Sequence, residues 1–331
     1  AAIRGVVKSA KELYNMETIG FYLGFQGLIE NQYHRIEDTS GFLTRGGTIL
    51  KTSREKPFKG ANSQEKLKAI QNTYREHDLS ALVVLGGNGT QKTALNLYNE
   101  LGINIVTLPK TIDNDIFGTD VSFGFSSAVE IATEAIDRVH TTATSHNRVM
   151  IIEVMGHKAG WIGMEAGIAS GSDIILLPEI PFQLEKIYDV VKKRVALKKN
   201  STIICVAEGA ISQDEVGLSP NDLAAKRKFR SIGQRIARKV EKYTSYESRL
   251  TVLGYVQRGG SPNAFDRNLA TILGANVAHM LDAGNFGKMV GYVNSQAIAV
   301  PLSEVAGITK LVEKNNSFLN AARSIGISFG D

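Results

Sequence analysis

Through most of the chain, short apolar runs rich in β-branched residues alternate with longer stretches in which apolar positions recur every three or four residues. The runs at 82–85, 103–108, 149–154, 173–177, 202–206 and 250–256 predict strands. The periodic stretches predict helices at 91–101, 127–140, 159–169, 184–198, 223–243 and 264–281, and one more ahead of the first strand, where Leu67, Ile70 and Tyr74 share a face. Strand and helix in repeated alternation predict an α/β fold with mainly parallel sheets. Such sheets bind ligands beyond the carboxyl ends of their strands, where loops meet helix N-termini, so the loops that follow strands are where chemistry is sought.

Length adds a division into two domains, because 331 residues exceed the usual size of one, and two domains imply a cleft. With 43% hydrophobic and 21% charged residues the composition is that of an ordinary globular protein. No apolar run approaches the roughly 18 residues of a membrane span. The opening Ala1-Ala2-Ile3-Arg4-Gly5-Val6-Val7-Lys8 has no charged-then-apolar signal pattern, and a cytoplasmic enzyme is expected. The single cysteine, Cys205, has no internal partner and sits in an apolar run, as a small hydrophobe would. A net charge of +5 suits anionic ligands. Its densest stretch holds Lys226, Arg227, Lys228, Arg230, Arg235, Arg238 and Lys239, with Ile232 and Ile236 interleaved. That spacing is an amphipathic helix with a solvated basic face rather than a nucleic-acid surface.

After the strand at 82–85 comes Gly86-Gly87-Asn88-Gly89-Thr90, leading straight into a helical pattern. Three glycines allow close approach of the backbone to a ligand, and a helix N-terminus offers amides to phosphate oxygens. The Walker pattern is not met, since Lys92-Thr93 lacks the preceding glycine, and neither is G-x-G-x-x-G, whose last position is Lys92. Two readings stand: a phosphate cradle, or an ordinary strand-to-helix turn with Thr90 as N-cap. The next strand ends in Pro109-Lys110-Thr111-Ile112-Asp113-Asn114-Asp115. Two carboxylates, an amide, a hydroxyl and an amine there are either an Asx-rich turn or the apparatus of phosphoryl transfer. In the second reading Asp113 is the base, Lys110 neutralises the transferred phosphoryl group, and Thr111 and Asp115 orient it and its acceptor. Later loops add Met155-Gly156-His157-Lys158, Glu208-Gly209 and, around the last strand, Arg249 and Gly254-Tyr255-Val256-Gln257-Arg258-Gly259-Gly260. The two guanidinium groups suit bidentate phosphate contact.

With these motifs in order, the chain resembles the phosphofructokinase family over essentially its whole length. The match runs through A-A-I-R-G-V-V at 1–7, R-G-G-T at 45–48, G-G-N-G-T at 86–90 and P-K-T-I-D-N-D at 109–115. It continues with A-T-S-H at 143–146, E-V-M-G at 153–156, A-E-G at 207–209 and Q-R-G-G-S-P at 257–262. The resemblance implies transfer of a phosphoryl group to the 1-hydroxyl of fructose 6-phosphate in glycolysis, with Mg2+. It implies two Rossmann-like three-layer units whose chain crosses between them more than once: 1–124 plus 257–308 for the donor, 125–256 plus 309–331 for the sugar phosphate. By the same analogy Asp113 is the proton acceptor, and Thr111, Ile112, Met155, Gly156, His157, Glu208, Arg249, Tyr255 and Arg258 surround the sugar phosphate. Arg148 and Arg249 match arginines contributed across a subunit interface, which implies a homo-oligomer, tetramer or dimer. Arg54 and Gly87, Asn88, Gly89 and Thr90 match the nucleotide site, with Asn88 the metal ligand.

Four departures from the family pattern bear on activity. The sequence as given lacks the family's first strand and G-G-D-A-P-G-M-N loop, as a truncated chain would. Asn88 replaces a magnesium-associated aspartate. His157 replaces an arginine, and Tyr255 a histidine. Lys110 is shared by pyrophosphate users and one ATP-using branch, whereas Gly89 is the residue of ATP users, leaving space where a carboxylate would repel the α-phosphate. ATP is therefore the expected donor, pyrophosphate the alternative, and a catalytically silent sugar-phosphate-binding member the second alternative. Arg4 and Lys8, one helical turn apart, match a basic effector-binding pair, but the rest of that site is not recognisable.

Overall fold

Each apolar run contributes a strand, and the parallel strands from β3 to β7 lead through loops into helices. The computed structural model describes residues 1–143, 148–199, 201–227 and 231–331. In chain order, α1 (Ala2–Tyr14) precedes an antiparallel ribbon of β1 (Ile19–Phe21) and β2 (Tyr33–Arg35), with α2 (Phe25–Ile29) between them. Then follow α3 (Ser63–Glu76), β3 (Leu82–Gly86), α4 (Asn88–Leu101), β4 (Ile105–Pro109), α5 (Phe125–Ala143), β5 (Val149–Val154), α6 (Trp161–Ala169) and β6 (Ile174–Leu176). Next come α7 (Leu184–Ala196), β7 (Thr202–Ala207), α8 (Pro220–Arg227), α9 (Ile232–Thr244) and β8 (Ser248–Val252). The last elements are α10 (Ala264–Asp282), β9 (Lys288–Val293), β10 (Gln296–Pro301), α11 (Leu302–Val305) and α12 (Ser317–Ser324).

The chain forms two units. The first comprises Ala1–Thr111, Ile116–Gly124 and Gly259–Thr309, the second Ile112–Asp115, Phe125–Arg258 and Lys310–Asp331. The first unit holds a sheet in the order β10-β9-β4-β3, parallel except for the antiparallel edge strand β10. Its central strand β4 shows how both faces are filled: Ile105 joins Leu67, Ile70 and Leu97 on one side, while Val106 and Leu108 join Leu269, Leu273 and Val277 of α10 on the other. The second unit holds a fully parallel sheet in the order β6-β7-β5-β8. On one face Val149 and Ile151 of β5 and Ile204 and Val206 of β7 meet Ile187 and Val191 of α7 and Ile232, Ile236 and Val240 of α9. Cys205 points to the opposite face, fully buried, and burial pushes its thiol up to about 12, so it packs as a hydrophobe.

Several expected boundaries move. The stretch 250–256 is not all strand: β8 stops at Val252, and Gly254–Arg258 closes into a 3-10 turn that carries Tyr255 and Arg258. The expected helix 223–243 is two helices, α8 and α9; Lys228 and Arg230 lie outside the described residues, as do 144–146 of the A-T-S-H motif. The basic face of α9 is exposed at Arg238, Lys239 and Lys242, but Arg235 turns inward to the buried carboxylate of Glu215. Burial alone would raise Glu215; hydrogen bonds from Arg235 and the Ser212 N–H hold it at about 2. Ile112–Asp115 group with the second unit rather than the first, and so do Gln257 and Arg258.

Candidate functional site

In the first unit β3 and β4 run parallel and in register to Gly86 and Pro109, so the loops that follow them leave the sheet side by side. Gly86 is forced by its surroundings, because a Cβ would fall 2.3 Å from Thr90 Oγ1. Gly87 and Gly89 are not. Gly87 has extended backbone that any residue adopts, and its Cβ would meet Thr111 Cβ at an ordinary 3.7 Å. A Cβ on Gly89 would have no described atom within 4 Å. The room beside these two residues is thus not taken by the chain itself, which favours the phosphate-cradle reading. Thr90 is not the N-cap; Gly87 is, and among the described residues no side-chain hydrogen bond caps α4 at Gly87, at the positive end of the helix dipole.

A buried pair, missed by the sequence reading, fixes this edge. Gln91 donates to the carbonyls of Gly86 and Leu108 at 3.0 and 3.3 Å and accepts from Thr107 Oγ1 at 2.5 Å. The signal was present: Gln91 is a polar residue on the buried stripe Gln91, Ala94, Leu97 of α4. Lys110 donates its N–H to Gly86 O at 3.1 Å, and Thr111 O accepts from Ser122 Oγ at 2.9 Å. Arg54 is exposed just after Ser53, whose hydroxyl anchors on Leu23 O at 2.7 Å. The R-G-G-T and Q-R-G-G-S-P motifs touch, since a Cβ on Gly46 would lie 1.9 Å from Gly260 O.

In the second unit the carboxyl ends of neighbouring strands β7, β5 and β8 deliver Glu208, Met155-Gly156-His157, and the turn with Tyr255 and Arg258. His157 N–H donates to Glu208 Oε1 at 3.0 Å. Met155 N–H donates to Oε1 of the buried Gln257 at 3.3 Å. Here the glycines are structural: Gly156 has φ 137°, and a Cβ on Gly209 would lie 1.9 Å from His157 O. Asp113 and Asp115 flank Asn114, which is buried and left-handed at φ 52°. Burial, then the Asp115 and Glu208 carboxylates, push the Asp113 carboxyl up to about 6 against the pull of Arg258 and His157. A carboxylate poised there takes up a proton near neutral pH far better than an ordinary one.

Arg148 and Arg249 fall elsewhere. Both are held on Glu247, Arg148 Nε to Oε2 at 2.6 Å and Arg249 to the other oxygen. Arg148 precedes the first residue of β5 and Arg249 pairs with Met150 beside it, whereas Met155 and His157 follow that strand's last residue. A strand of that length spans roughly 17–20 Å. Within one copy of the second unit these arginines and the Asp113 cluster therefore lie at opposite ends of the sheet.

The family model described as Phosphofructokinase matches residues 1–281. The chain belongs to the phosphofructokinase family. An ATP-dependent 6-phosphofructokinase of Spirochaeta thermophila is 50% identical, the match covering 100% of this chain and 93% of that protein. ATP-dependent 6-phosphofructokinase 3 of Bacteroides thetaiotaomicron is 46% identical, over 100% and 95%. Among solved structures, phosphofructokinase from Saccharomyces cerevisiae superposes with a TM-score of 0.78 at 28% identity, covering 92% of this chain and 43% of that longer one. Membership accounts for the mixed α/β architecture and its parallel sheets. Among the described residues no helix is long and apolar enough to cross a membrane.

Proposed function

We propose that the chain is an ATP-dependent 6-phosphofructokinase of glycolysis, transferring the γ-phosphoryl group of ATP to the 1-hydroxyl of fructose 6-phosphate. The observation that carries this reading is the Asp113 cluster, a carboxyl raised to about 6 among Asp115, Glu208, Arg258 and His157 on the loops that follow parallel strands. Asp113 takes the proton of the 1-hydroxyl while that oxygen attacks the γ-phosphorus, the bond to the β-phosphate oxygen breaks, and ADP leaves. Asp115 orients the acceptor, together with the backbone of Ile112 and Met155. Gly156 lets the loop turn so that His157 faces the phosphoryl group as a donor, and Glu208 accepts from sugar hydroxyls. Arg258 and Tyr255 meet the sugar phosphate, with Arg148 and Arg249 supplied by a second copy.

The uncrowded Gly89, the uncapped start of α4 and the names of the relatives support ATP as donor. Gly87, Asn88 and Thr90 give the phosphates backbone and side-chain donors, Lys110 and Thr111 take the transferred group, and Arg54 completes the nucleotide side. Among the described residues no three His, Cys, Asp or Glu side chains group to hold an ion, and Asn88 offers one amide oxygen. That donor set fits magnesium, which Asn88 would help to hold and which would neutralise phosphate charge when bound. The separation of Arg148 and Arg249 from Asp113 supports a homo-oligomeric enzyme, which we place in the cytoplasm. A coupled assay with fructose 6-phosphate and either ATP or pyrophosphate tests the reading. Turnover with ATP is expected; turnover with pyrophosphate alone would replace the donor, and binding of fructose 6-phosphate with no turnover would leave a silent regulatory member.

A further inference from the structure

Asn114, between the two carboxylates of the base loop, is in the left-handed conformation, which asparagine visits more readily than most residues because its short polar side chain can hydrogen-bond locally. Its side-chain oxygen accepts from Lys310 Nζ at 3.0 Å, and the next carbonyl, Asp115 O, accepts from the Lys310 backbone N–H at 2.8 Å. Lys310 is itself tied down from the other side. Its carbonyl accepts from Trp161 Nε1 at 2.9 Å, and its ammonium sits 5.1 Å from the centroid of the Trp161 ring. Glu165, one turn further along α6, is partly buried and interacts electrostatically with the same ammonium. All of these residues belong to the second unit.

We infer that Lys310 is a positioning residue for phosphoryl transfer, clasping Ile112–Asp115 at two points and transmitting the rigidity of α6 to the base. The inference rests on the reading of Asp113 as the proton acceptor. Two hydrogen bonds from one residue to adjacent positions remove the freedom of the loop to rotate about Asn114, and so fix where the Asp113 carboxylate points. Misplacing a catalytic group by an ångström costs up to about 100-fold in rate. No local signal marked Lys310, which lies 196 positions from Asn114 in a stretch without a predicted element.

The test is Lys310→Met, which keeps the backbone N–H and an apolar stem against Trp161 but removes the ammonium. We expect kcat to fall about 10- to 100-fold, with KM for ATP and fructose 6-phosphate within about threefold. Lys310→Arg recovers most of that loss. Asn114→Gly, which accepts the same backbone conformation and removes the other partner, reproduces it and stands in if Lys310→Met does not fold. In an Asp113→Asn background, Lys310→Met adds less than about twofold, because the loop no longer carries a base. Amide hydrogen exchange at 112–116 rises by about tenfold in Lys310→Met while α6 stays protected. Unchanged kcat with unchanged exchange, or an equal loss in the Asp113→Asn background, overturns the inference. If the wild type transfers no phosphoryl group to fructose 6-phosphate, the activity reading fails by itself, and the exchange of 112–116 still decides whether Lys310 clasps the loop.

Discussion

The glycine-rich loop after β3 keeps glycine at 87 and 89 although a side chain at either place would meet only ordinary contacts or open space, whereas Gly156 and Gly209 after β5 and β7 stand where a Cβ would enter a carbonyl oxygen. The first pair is explained by what is outside the chain, the second by what is inside it. The proposed function gives the difference a reason in how each unit would recognise its ligand. On the proposed reading, donor phosphates would be met by backbone amides and a helix dipole, which need access more than side chains. On the acceptor side the same reading assigns recognition to the side chains Asp113, His157, Glu208 and Arg258, and the backbone beside His157 and Glu208 is packed tightly enough to aim them. Substitutions in the first loop should therefore register in binding of the donor, and those in the second in chemistry or in stability.

The largest break in that contrast comes from the second unit. Asp113→Ser should lower kcat by about 100- to 10,000-fold while KM for fructose 6-phosphate moves only a few-fold, measured by steady-state kinetics. Near-normal turnover would take Asp113 out of the base role. Next, Gly89→Asp should raise KM for ATP by about 10- to 100-fold and leave the melting temperature within about 2 °C, since no described atom lies within 4 Å of the new Cβ. Gly209→Ala should do the reverse and cost about 1–3 kcal/mol of stability, because the backbone of His157 has to move. If Gly89→Asp melted the protein or Gly209→Ala touched only ATP affinity, the assignment of the two sets of glycines would be wrong.

The strands and helices were legible because each is long enough for its apolar period to dominate, as in β5, expected at 149–154 and found at Val149–Val154. Misreadings cluster where apolar residues serve something other than a sheet. Tyr255 and Val256 extend an apolar run but are exposed on a 3-10 turn, 78% and 66% respectively. The site motifs were legible as dense local clusters of polar residues. What holds them was less so: Gln91 shows only as a polar residue on the buried stripe of α4, while Gln257 and Lys310 act across 102 and 196 positions, where a lone Gln or Lys has no local pattern that distinguishes a buried brace from a solvated side chain. The placement of Arg148 and Arg249 at the far end of β5 and β8 needed the register of the sheet, which no periodicity provides.

Charge sharpens the same contrast with a smaller effect. If Asp113 is the base, it must be ionised to accept a proton, and with its carboxyl raised to about 6, kcat/KM should fall as pH drops through about 6. Arg258 pulls that value down, so Arg258→Met should move the acid limb to higher pH, by about half to one unit in a pH–rate profile. A limb that stayed put would mean that another group controls it.

Glu165 gives the subtlest test, because its carboxyl is raised by burial, against the pull of Lys310, from an ordinary 4.5 to about 7. A group whose folded-state value is raised binds more protons folded than unfolded across that window, so stability is lost as pH rises from about 4.5 to about 7. Above it the cost is complete, on the order of 1–3 kcal/mol after allowance for partial solvent screening. Glu165→Gln should therefore raise the melting temperature by a few degrees at pH 8 and leave it unchanged near pH 4.5. With Lys310 still clasped to Asn114, kcat should change by less than about twofold. A stability gain with unchanged kcat sets Glu165 among groups that only tax the fold, whereas a matching drop in kcat would show that the ammonium needs Glu165 to hold the base loop.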